Sequence, residues 1–173
     1  MKKIGLLSDT HSFYHPRIRG FFEDVDEIWH AGDIGDPRIA VKLGKLKPFR
    51  AVSGNIDEQE IRALYPRDLV FSCEKVKVYM THIGGYPGRY DRHAMEVILK
   101  EKPALFICGH SHILKVIYDE KNRMLCMNPG AAGKFGMHRS ITLLRFLIDG
   151  DRIRDLEVMD IPRRNTNIWQ DMQ

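Results

Sequence analysis

Side chains of the types that bind metal ions follow short apolar runs at several places in this sequence. His110 and His112 come after one such run, and Asp9 and His11 come after another with the same spacing. In an extended chain, residues i and i+2 point to the same side about 6 to 7 Å apart, so each pair could bind one ion or two adjacent ions. The complete set of candidate metal ligands is Asp9, His11, Asp33, Asn55, His82, His110 and His112.

The mixture of donor atoms in this set predicts which ions it would bind and what they would do. Carboxylate, amide and imidazole donors without a thiolate suit Mn, Fe, Zn or Ni. Two such ions about 3.5 to 4 Å apart form a template for phosphoryl transfer. A single Asp or His after a strand is more often a cap or a turn residue, so the prediction depends on the joint pattern.

The elements that must position these residues are predicted to be strands alternating with helices. Open α/β sheets place their sites beyond the carboxyl ends of their strands, which is where the candidate ligands fall. Glycine precedes Asp33, Asn55 and His110, and it lets the backbone turn sharply or pack closely there. A helix is predicted to begin at Asp36-Pro37, as N-cap and first-turn residue. The predicted strands are 3–9, 27–32, 49–53, 68–71, 75–81, 104–108, 123–127, 141–147 and 152–158, with further helices near Pro16 and at 58–64 and 91–100.

Composition and charge limit the class of protein. The chain of 173 residues, with 43% hydrophobic and 29% charged residues, is predicted to be a single domain over 1–173, with a loosely held tail at 161–173. No run approaches the roughly 18 apolar residues of a membrane span, so no membrane partner is expected. Three cysteines without a CxxC pair argue against a disulfide framework and favour a cytoplasmic location. The net charge of +4 is spread along the chain, so a nucleic-acid partner is possible but has little support, and the surface suits an anionic substrate.

Five short motifs resemble, in order, the signature blocks of the calcineurin-like metallophosphoesterases. They are Asp9-Thr10-His11, Gly32-Asp33, Gly54-Asn55, Thr81-His82 and Gly109-His110-Ser111-His112, and the later Asn128-Pro129-Gly130 also fits. The whole chain is similar to the small bacterial and archaeal phosphodiesterase branch of that superfamily, the YfcE-like proteins. The resemblance implies an α/β fold, a four-layer αββα sandwich of two mixed sheets flanked by helices.

The resemblance also implies how the ligands divide between two divalent metal ions, with Mn favoured and Zn, Fe or Ni as alternatives. One ion would be held by Asp9, His11 and His112, and the other by Asn55, His82 and His110, with Asp33 bridging both. A hydroxide bridging the ions would attack a phosphorus atom whose oxygens the same ions hold. Asp33, Asn55 and His82 are therefore the predicted catalytic residues.

The motif Gly54-Asn55-Ile56-Asp57 departs from the pattern of many family members. In those proteins a histidine at the position of Ile56 protonates the departing alkoxide, and Ile56 cannot donate a proton. The small phosphodiesterase branch often lacks this histidine too. We therefore expect rates that depend steeply on the pKa of the leaving group, with aryl diesters cleaved far better than alkyl monoesters.

A glycine-rich loop at residues 84–90 is a candidate for substrate contacts, together with Asn55. Arg89 could hold a phosphate and Tyr86 could stack on an aryl group or a nucleobase. The same loop could instead only cover the metals.

A second glycine-rich loop, at residues 133–139, carries His138. His138 could overhang the site and supply a cation that binds the substrate, or the segment could be a plain surface loop. The remaining histidines, His15, His30 and His93, are expected to be structural.

The motifs favour an enzyme over a binding module of the same fold. A retromer subunit with this fold works as an interaction scaffold, and its metal-site pattern is incomplete. Here both ligand sets are whole, so we predict a metal-dependent phosphodiesterase acting on a small-molecule phosphodiester, with a catalytically weak scaffold as the alternative. Relatives are often dimers or tetramers, which leaves a homo-oligomer open. The absence of GxxxxGK[ST], GxGxxG and GxSxG motifs argues against a kinase, a dehydrogenase or a serine hydrolase.

Overall fold

The structure, a computed structural model, describes residues 1–163. Within this range, no helix has the length and apolar character needed to cross a bilayer. In chain order the elements are β1 (Lys2–Leu7), α1 (Arg17–Phe21), β2 (Glu27–His30), α2 (Pro37–Leu46), β3 (Phe49–Ala51), α3 (Gln59–Leu64), β4 (Asp68–Cys73), β5 (Val76–Thr81), β6 (Gly85–Tyr86), β7 (Arg89–Tyr90), α4 (Arg92–Glu101), β8 (Leu105–Ile107), β9 (Leu114–Asp119), β10 (Met124–Pro129), β11 (Ser140–Asp149) and β12 (Arg152–Pro162).

Two five-stranded mixed sheets form the centre of the fold. The first has the order β12-β11-β1-β2-β3, in which β1, β2 and β3 are parallel, β11 is antiparallel to β1, and β12 is antiparallel to β11. The second has the order β4-β5-β8-β10-β9, in which β5, β8 and β10 are parallel. Because parallel strands share a direction, their carboxyl ends meet at the same edge of each sheet.

The sheets pack face to face, and the helices lie outside them. Successive residues of a strand point to opposite faces, so each sheet presents apolar side chains both to the other sheet and to the helices. Leu6 of β1 and Ile107 of β8 lie in the apolar core between the two sheets. Leu7 lies on the other face of the first sheet, in a core shared with α1, α2 and α3. Phe106 lies on the outer face of the second sheet, in a core shared with α4. The predicted four-layer αββα sandwich is confirmed.

Local sequence explains where the two longest helices begin. Asp36 Oδ1 accepts a hydrogen bond from the amide of Arg38 at 2.8 Å, and Pro37 is the first residue of α2. Asp91 Oδ2 accepts one from the amide of Ala94 at 3.2 Å at the start of α4. Aspartate side chains at these positions satisfy amides that the helix itself leaves unpaired, so the predicted starts are confirmed.

Two segments form strands that the sequence pattern does not predict. Strand β9 pairs antiparallel with β10 at the edge of the second sheet, and three of its residues in succession are exposed. This burial pattern lacks the alternation by which strands are recognised. The loop at 84–90 contains the short hairpin of β6 and β7, whose residues are mostly exposed.

The predicted loosely held tail begins too early, at residue 161. Ile161 and Pro162 belong to β12 and pair with Ile141 and Ser140. The amide of Arg163 also donates to the carbonyl of Arg139 at 2.8 Å. The rest of the predicted tail, 164–173, lies outside the described residues.

Candidate metal centre

Strand ends from both sheets meet at one edge of the sandwich, and the candidate ligands follow them directly. Asp9 follows β1, Asp33 follows β2, His82 follows β5, and His110 follows β8. The amide of Gly109 donates to the carbonyl of His82 at 2.9 Å, which holds the ends of β5 and β8 together. Residues that lie far apart in sequence are therefore brought to one place.

The first cluster consists of Asp9, His11 and His112, whose ligand atoms all lie within 4.8 Å of one another. His112 Nε2 is 3.1 Å from Asp9 Oδ1 and 3.3 Å from His11 Nε2. The aspartate is fully buried, whereas the two imidazoles are partly exposed. One carboxylate and two imidazoles facing one another form a donor set that suits a first-row divalent ion.

The second cluster consists of Asp33, His82 and His110, whose ligand atoms also lie within 4.8 Å of one another. His82 Nε2 is 3.2 Å from Asp33 Oδ2, and both residues are buried. His110 is exposed, and its ring centroid is 5.3 Å from that of His82. This donor set repeats the chemistry of the first cluster.

The two clusters adjoin each other through their aspartates. Asp33 Oδ2 lies 3.6 Å from His11 Nε2 of the first cluster, and Asp9 Oδ1 lies 3.9 Å from His82 Nε2 of the second. The amide of His110 donates to Asp9 Oδ2 at 3.1 Å. The carboxylate of Asp33 therefore faces imidazoles of both clusters.

Two buried atoms test whether these residues fit a metal ion. Asp9 Oδ1 and His82 Nε2 have no hydrogen-bond partner within residues 1–163. His82 Nδ1 lies 2.8 Å from the carbonyl of Ala31, and since a carbonyl only accepts, Nδ1 carries the proton. Nε2 then faces the clusters, as it does in metal-binding histidines. Unpaired buried polar atoms are costly, and a cation would satisfy both, so the residues fit a metal ion.

The charges of the clusters support the same conclusion. Burial raises the pKa of Asp9, but contacts with His11 and His112 outweigh burial and hold this pKa well below its usual range. Burial also raises the pKa of Asp33, and the contact with His82 outweighs it, so this pKa too is lowered. Burial lowers the pKa of His82, but the neighbouring carboxylates of Asp33 and Asp9 raise it by more, so its pKa lies above the ordinary value. Both carboxylates are ionised at neutral pH and attract positive charge.

The backbone is strained at most of the candidate ligands. Non-glycine residues in the left-handed region cost on the order of 1 kcal/mol each, and such residues cluster at functional sites. Here the strain turns the chain sharply where each strand ends and directs the side chains to the shared edge. The φ angles are 54° for Asp9, 45° for His11, 55° for Asp33, 68° for His110 and 57° for His112.

Glycines allow the ligand loops to approach one another closely. A Cβ atom at Gly54 would overlap the carboxylate and the amide of Asp33. A Cβ atom at Gly109 would overlap Ser8 Oγ and lie 2.8 Å from Asp9 Oδ2. The close packing predicted before Asn55 and His110 is confirmed, and it leaves no room for a side chain.

Asn55, the remaining candidate ligand, is exposed and lies on a loop that two charged side chains hold in place. The buried carboxylate of Asp57 accepts hydrogen bonds from the amides of Gly54 at 2.7 Å and Gly35 at 2.8 Å. Arg62 donates to the carbonyls of Asp57 at 2.6 Å and Asn55 at 3.0 Å. The amide of the following residue, Ile56, donates to Asp33 Oδ1 at 3.1 Å, which places the loop beside the second cluster.

A cavity of about 450 Å³ opens beside the second cluster and is lined by both Asn55 and His82. Arg62 and Arg67 also line it. Sequence reasoning missed these two arginines because no motif marks them. The signal that would have found Arg62 is its place on α3, which follows the Asn55 loop.

The predicted substrate contacts Tyr86 and Arg89 pair with each other across the hairpin of β6 and β7, and both are exposed. The ammonium of Lys115 lies 3.6 Å from the centroid of the Tyr86 ring. The hairpin is anchored by Tyr90, whose hydroxyl donates to Asp119 Oδ2 at 2.6 Å. Neither Tyr86 nor Arg89 lines the cavity, so their contact with a substrate stays a prediction.

Residues 133–139, here called the covering loop, lie over the first cluster. The ring centroid of Phe135 is 5.1 Å from that of His11, and that of His138 is 5.1 Å from that of His112. Arg163 Nη1 donates to two carbonyls of the loop, at 2.9 and 2.8 Å. Burial lowers the pKa of His138, which favours its neutral form, so of the two alternatives for this loop a cation that binds the substrate is the less supported.

Two of the other histidines have structural roles, as predicted. His30 is fully buried, and its Nδ1 accepts a hydrogen bond from the amide of Gly32 at 3.1 Å. Its Nε2 therefore carries the proton and lies 3.0 Å from Thr10 Oγ1. Burial lowers the pKa of His30 to about 4. His93 contacts Asp68 Oδ2 at 2.8 Å and belongs to neither cluster.

Comparison with known proteins agrees with the fold described above. In fold, the chain is similar to Vps29 from Chaetomium thermophilum, with a TM-score of 0.72 and 12% identity over 94% of this chain and 100% of that one. It is also similar to Yfce, a phosphoesterase from E. coli, with a TM-score of 0.56 and 17% identity over 90% and 98%.

Sequence similarity identifies the family. A probable metallophosphoesterase of Methanothermobacter thermautotrophicus is 32% identical over 163 residues, which cover 90% of this chain and 91% of the relative. The sequence profile of the calcineurin-like phosphoesterase superfamily domain matches residues 1–151. Phosphoester hydrolysis and divalent metal binding are the properties that this relationship supports. The chain therefore belongs to the calcineurin-like phosphoesterase superfamily.

Proposed function

We propose that this protein is a metal-dependent phosphodiesterase that hydrolyses P–O bonds at a centre of two divalent cations, with manganese as the favoured ion. The observation that carries the proposal is the position of Asp33, whose Oδ2 lies 3.2 Å from His82 Nε2 and 3.6 Å from His11 Nε2. One carboxylate adjoins both clusters, which supports its role as the bridging ligand. Membership of the superfamily supports the same class of reaction.

Each cation would have its own set of ligands. When bound, the two cations would neutralise the oxygens of a phosphate group and lower the pKa of a water molecule enough to supply a nucleophile near neutral pH. The first cation would be held by Asp9, His11 and His112, and the second by His82, His110 and Asn55, with Asp33 shared.

The surrounding residues would keep these ligands in place before a substrate binds. The carbonyl of Ala31 fixes the ring of His82, so that Nε2 points to the centre. Asp57 and Arg62 hold the loop of Asn55 through backbone groups. A site that is already ordered loses little free energy to rearrangement during the reaction.

Ile56 favours a substrate whose leaving group needs no proton. Its side chain is 42% exposed beside Asn55 and carries no proton donor. Its contribution is the amide that donates to Asp33 Oδ1 at 3.1 Å. Phosphodiesters with acidic leaving groups, such as aryl diesters, therefore suit the site best.

The test combines metal content with manganese-stimulated hydrolysis of bis(p-nitrophenyl) phosphate by the wild type, Asp33→Asn and His82→Ala. An asparagine side chain can still accept from the amide of Ile56, so Asp33→Asn removes mainly the charge shared by the two clusters. We expect the activity of both variants to fall by at least about 100-fold. His93→Ala is the matched control, since His93 is a histidine that belongs to neither cluster. Full activity in Asp33→Asn would contradict the proposal.

The same measurement decides between the enzyme and the scaffold. The two clusters, with the loop of Asn55 beside the second, favour the enzyme. Wild-type protein that binds metal stoichiometrically but hydrolyses no aryl diester would favour an interaction scaffold.

The role of Ile56 is tested separately with a series of phenyl phosphodiesters whose leaving groups differ in pKa. Without a proton donor, negative charge accumulates on the departing oxygen, so the rate should fall steeply as the leaving-group pKa rises. A shallow dependence would show that another group supplies the proton.

A further inference from the structure

The cavity beside the second cluster carries two positive charges that the described part of the chain does not neutralise. Arg62 and Arg67 line it together with Asn55 and His82. Five other arginines within residues 1–163 are paired with carboxylates, as Arg50 is with Glu27. Neither arginine of the cavity forms such a pair with a described residue. The two guanidinium groups thus give the cavity a positive potential next to the centre where a phosphate would bind.

The guanidinium of Arg62 is fixed in place by the backbone. Its Nε donates to the carbonyl of Asp57 at 2.6 Å, and its Nη2 donates to the carbonyl of Asn55 at 3.0 Å. Nη1 has no hydrogen-bond partner among residues 1–163. Because neutral carbonyls hold the group, its charge remains available, and little side-chain entropy is lost when an anion binds.

Arg67 is exposed, and its side chain forms no hydrogen bond or ion pair within residues 1–163. Its main chain is tied to the end of β5, because Thr81 Oγ1 donates to the carbonyl of Arg67 at 3.4 Å. Thr81 directly precedes His82. Arg67 therefore lies near the second cluster with a guanidinium that is free to meet a ligand.

We propose that this cavity binds a second phosphoryl group of the substrate, beside the phosphodiester at the metal centre. The inference rests on the proposed function, because it takes the scissile phosphate to lie at the second cluster. Guanidinium groups bind phosphate oxygens in a two-pronged manner, and the cavity of about 450 Å³ has the size of a small-molecule site. The substrate class is thus a phosphodiester that carries another phosphate, either adjacent to the first or on a neighbouring part of the molecule.

Calorimetric binding to the manganese-loaded protein tests this inference with three probes. Thymidine 5′-monophosphate has one phosphate, thymidine 5′-diphosphate has two adjacent ones, and thymidine 3′,5′-bisphosphate has two separated ones. We expect at least one doubly phosphorylated probe to bind on the order of tenfold more tightly than the monophosphate. Arg67→Ala should remove this gain, and Arg67→Glu should reverse it. Arg92→Ala is the control, because Arg92 lies exposed on α4 and pairs with Glu96 of its own helix.

The outcomes separate this inference from the proposed reaction. A diphosphate also binds the metal itself more strongly than a monophosphate does. This contribution is the same in the wild type and in the Arg67 variants, so the difference between them reports only the effect of Arg67. Equal binding of all three probes to the wild type, or a gain that survives in both Arg67 variants, would overturn the inference. A gain that depends on Arg67, in a protein that hydrolyses no diester, would refute the phosphodiesterase and leave the second phosphate site supported. The probe that shows the gain tells whether the two phosphates are adjacent or separated.

Discussion

The two clusters of the candidate metal centre differ in how they meet solvent. The first lies beneath the covering loop, whose Phe135 and His138 are in contact with its imidazoles. The second opens into the cavity lined by Arg62 and Arg67. The donor sets are alike, so the difference lies in the surroundings. We infer that the covered cluster mainly retains its ion, whereas the open cluster receives the substrate.

The largest effect is expected from Asp9→Asn, which changes the buried carboxylate of the covered cluster. Asp9 Oδ1 faces His112 Nε2 at 3.1 Å, and removing the negative charge weakens the attraction for a cation. We expect kcat/KM for an aryl diester to fall on the order of 1,000-fold, with loss of metal from the protein. Elemental analysis and steady-state kinetics measure both. In Asp91→Asn, the control, asparagine also caps a helix, so activity should be retained. Two tightly held ions in Asp9→Asn would break the comparison.

The next largest effect is a loss of folding stability at low pH, caused by His30. This buried histidine contacts Thr10, which lies between the ligands Asp9 and His11. The pKa of His30 is lowered by burial from 6.5 to about 4. Below pH 6.5 His30 becomes protonated in the unfolded chain but stays neutral in the folded protein. The free energy of unfolding therefore falls as the pH falls towards 4, by on the order of 3 kcal/mol. Urea unfolding across this range measures the loss.

His30→Gln isolates this contribution, because glutamine can donate and accept hydrogen bonds but does not titrate in this range. Asp9 and Asp33, whose pKa values are lowered from 3.8, lose stabilisation mainly below this pH range, and they do so in both proteins. We therefore expect a smaller loss of stability in His30→Gln. Identical pH dependence in the two proteins would show that His30 already titrates normally.

A smaller effect is expected at the open cluster from Gly54→Ala. The new Cβ atom would overlap the carboxylate of Asp33, so the loop or the ligand must move. We expect the free energy of unfolding to fall by about 2 kcal/mol. Gly44→Ala is the matched control in α2, where the nearest atom is 3.8 Å from the new Cβ, and it should stabilise the protein by about 0.5 to 1 kcal/mol. Denaturant unfolding of both variants measures the difference, and equal stability would mean that the Asn55 loop is pliable.

The smallest effect on stability is expected from Phe135→Ala in the covering loop. Phe135 is 69% exposed, so the free energy of unfolding should change by less than about 0.5 kcal/mol. Its ring nevertheless covers His11, so we expect faster release of metal to a chelator. Stopped-flow release kinetics measure this rate, with Phe135→Leu as a variant that keeps an apolar cover. An unchanged rate would show that the loop does not retain the ion.

The sequence predicts the parts of the fold in which a strand can be recognised from its own residues, without its neighbours. In β1 and β8, apolar residues alternate between two buried faces and end at polar residues, which identifies both the strand and the edge where the ligands lie. The five motifs then place candidate ligands from distant segments together. Aspartates before α2 and α4 likewise mark their own helices, because capping is a local interaction.

The parts that the sequence does not predict depend on distant contacts. Strand β9 has a mostly exposed face and is defined by its pairing with β10. Arg62 and Arg67 reach the cavity only because α3 and the start of β4 fold back beside His82. The position of His138 depends on the covering loop, whose carbonyls are held by Arg163, 25 residues away. The left-handed backbone of the ligands likewise comes from the meeting of the two sheets, since none of them is glycine.

The hydrogen bonds of Arg163 have a practical consequence for how the protein is handled. Its guanidinium joins the end of β12 to the loop that roofs the first cluster. Cleavage by a protease before this residue would loosen the covering loop without removing any metal ligand. Preparations that lack Arg163 should therefore retain less metal through purification than preparations that keep it.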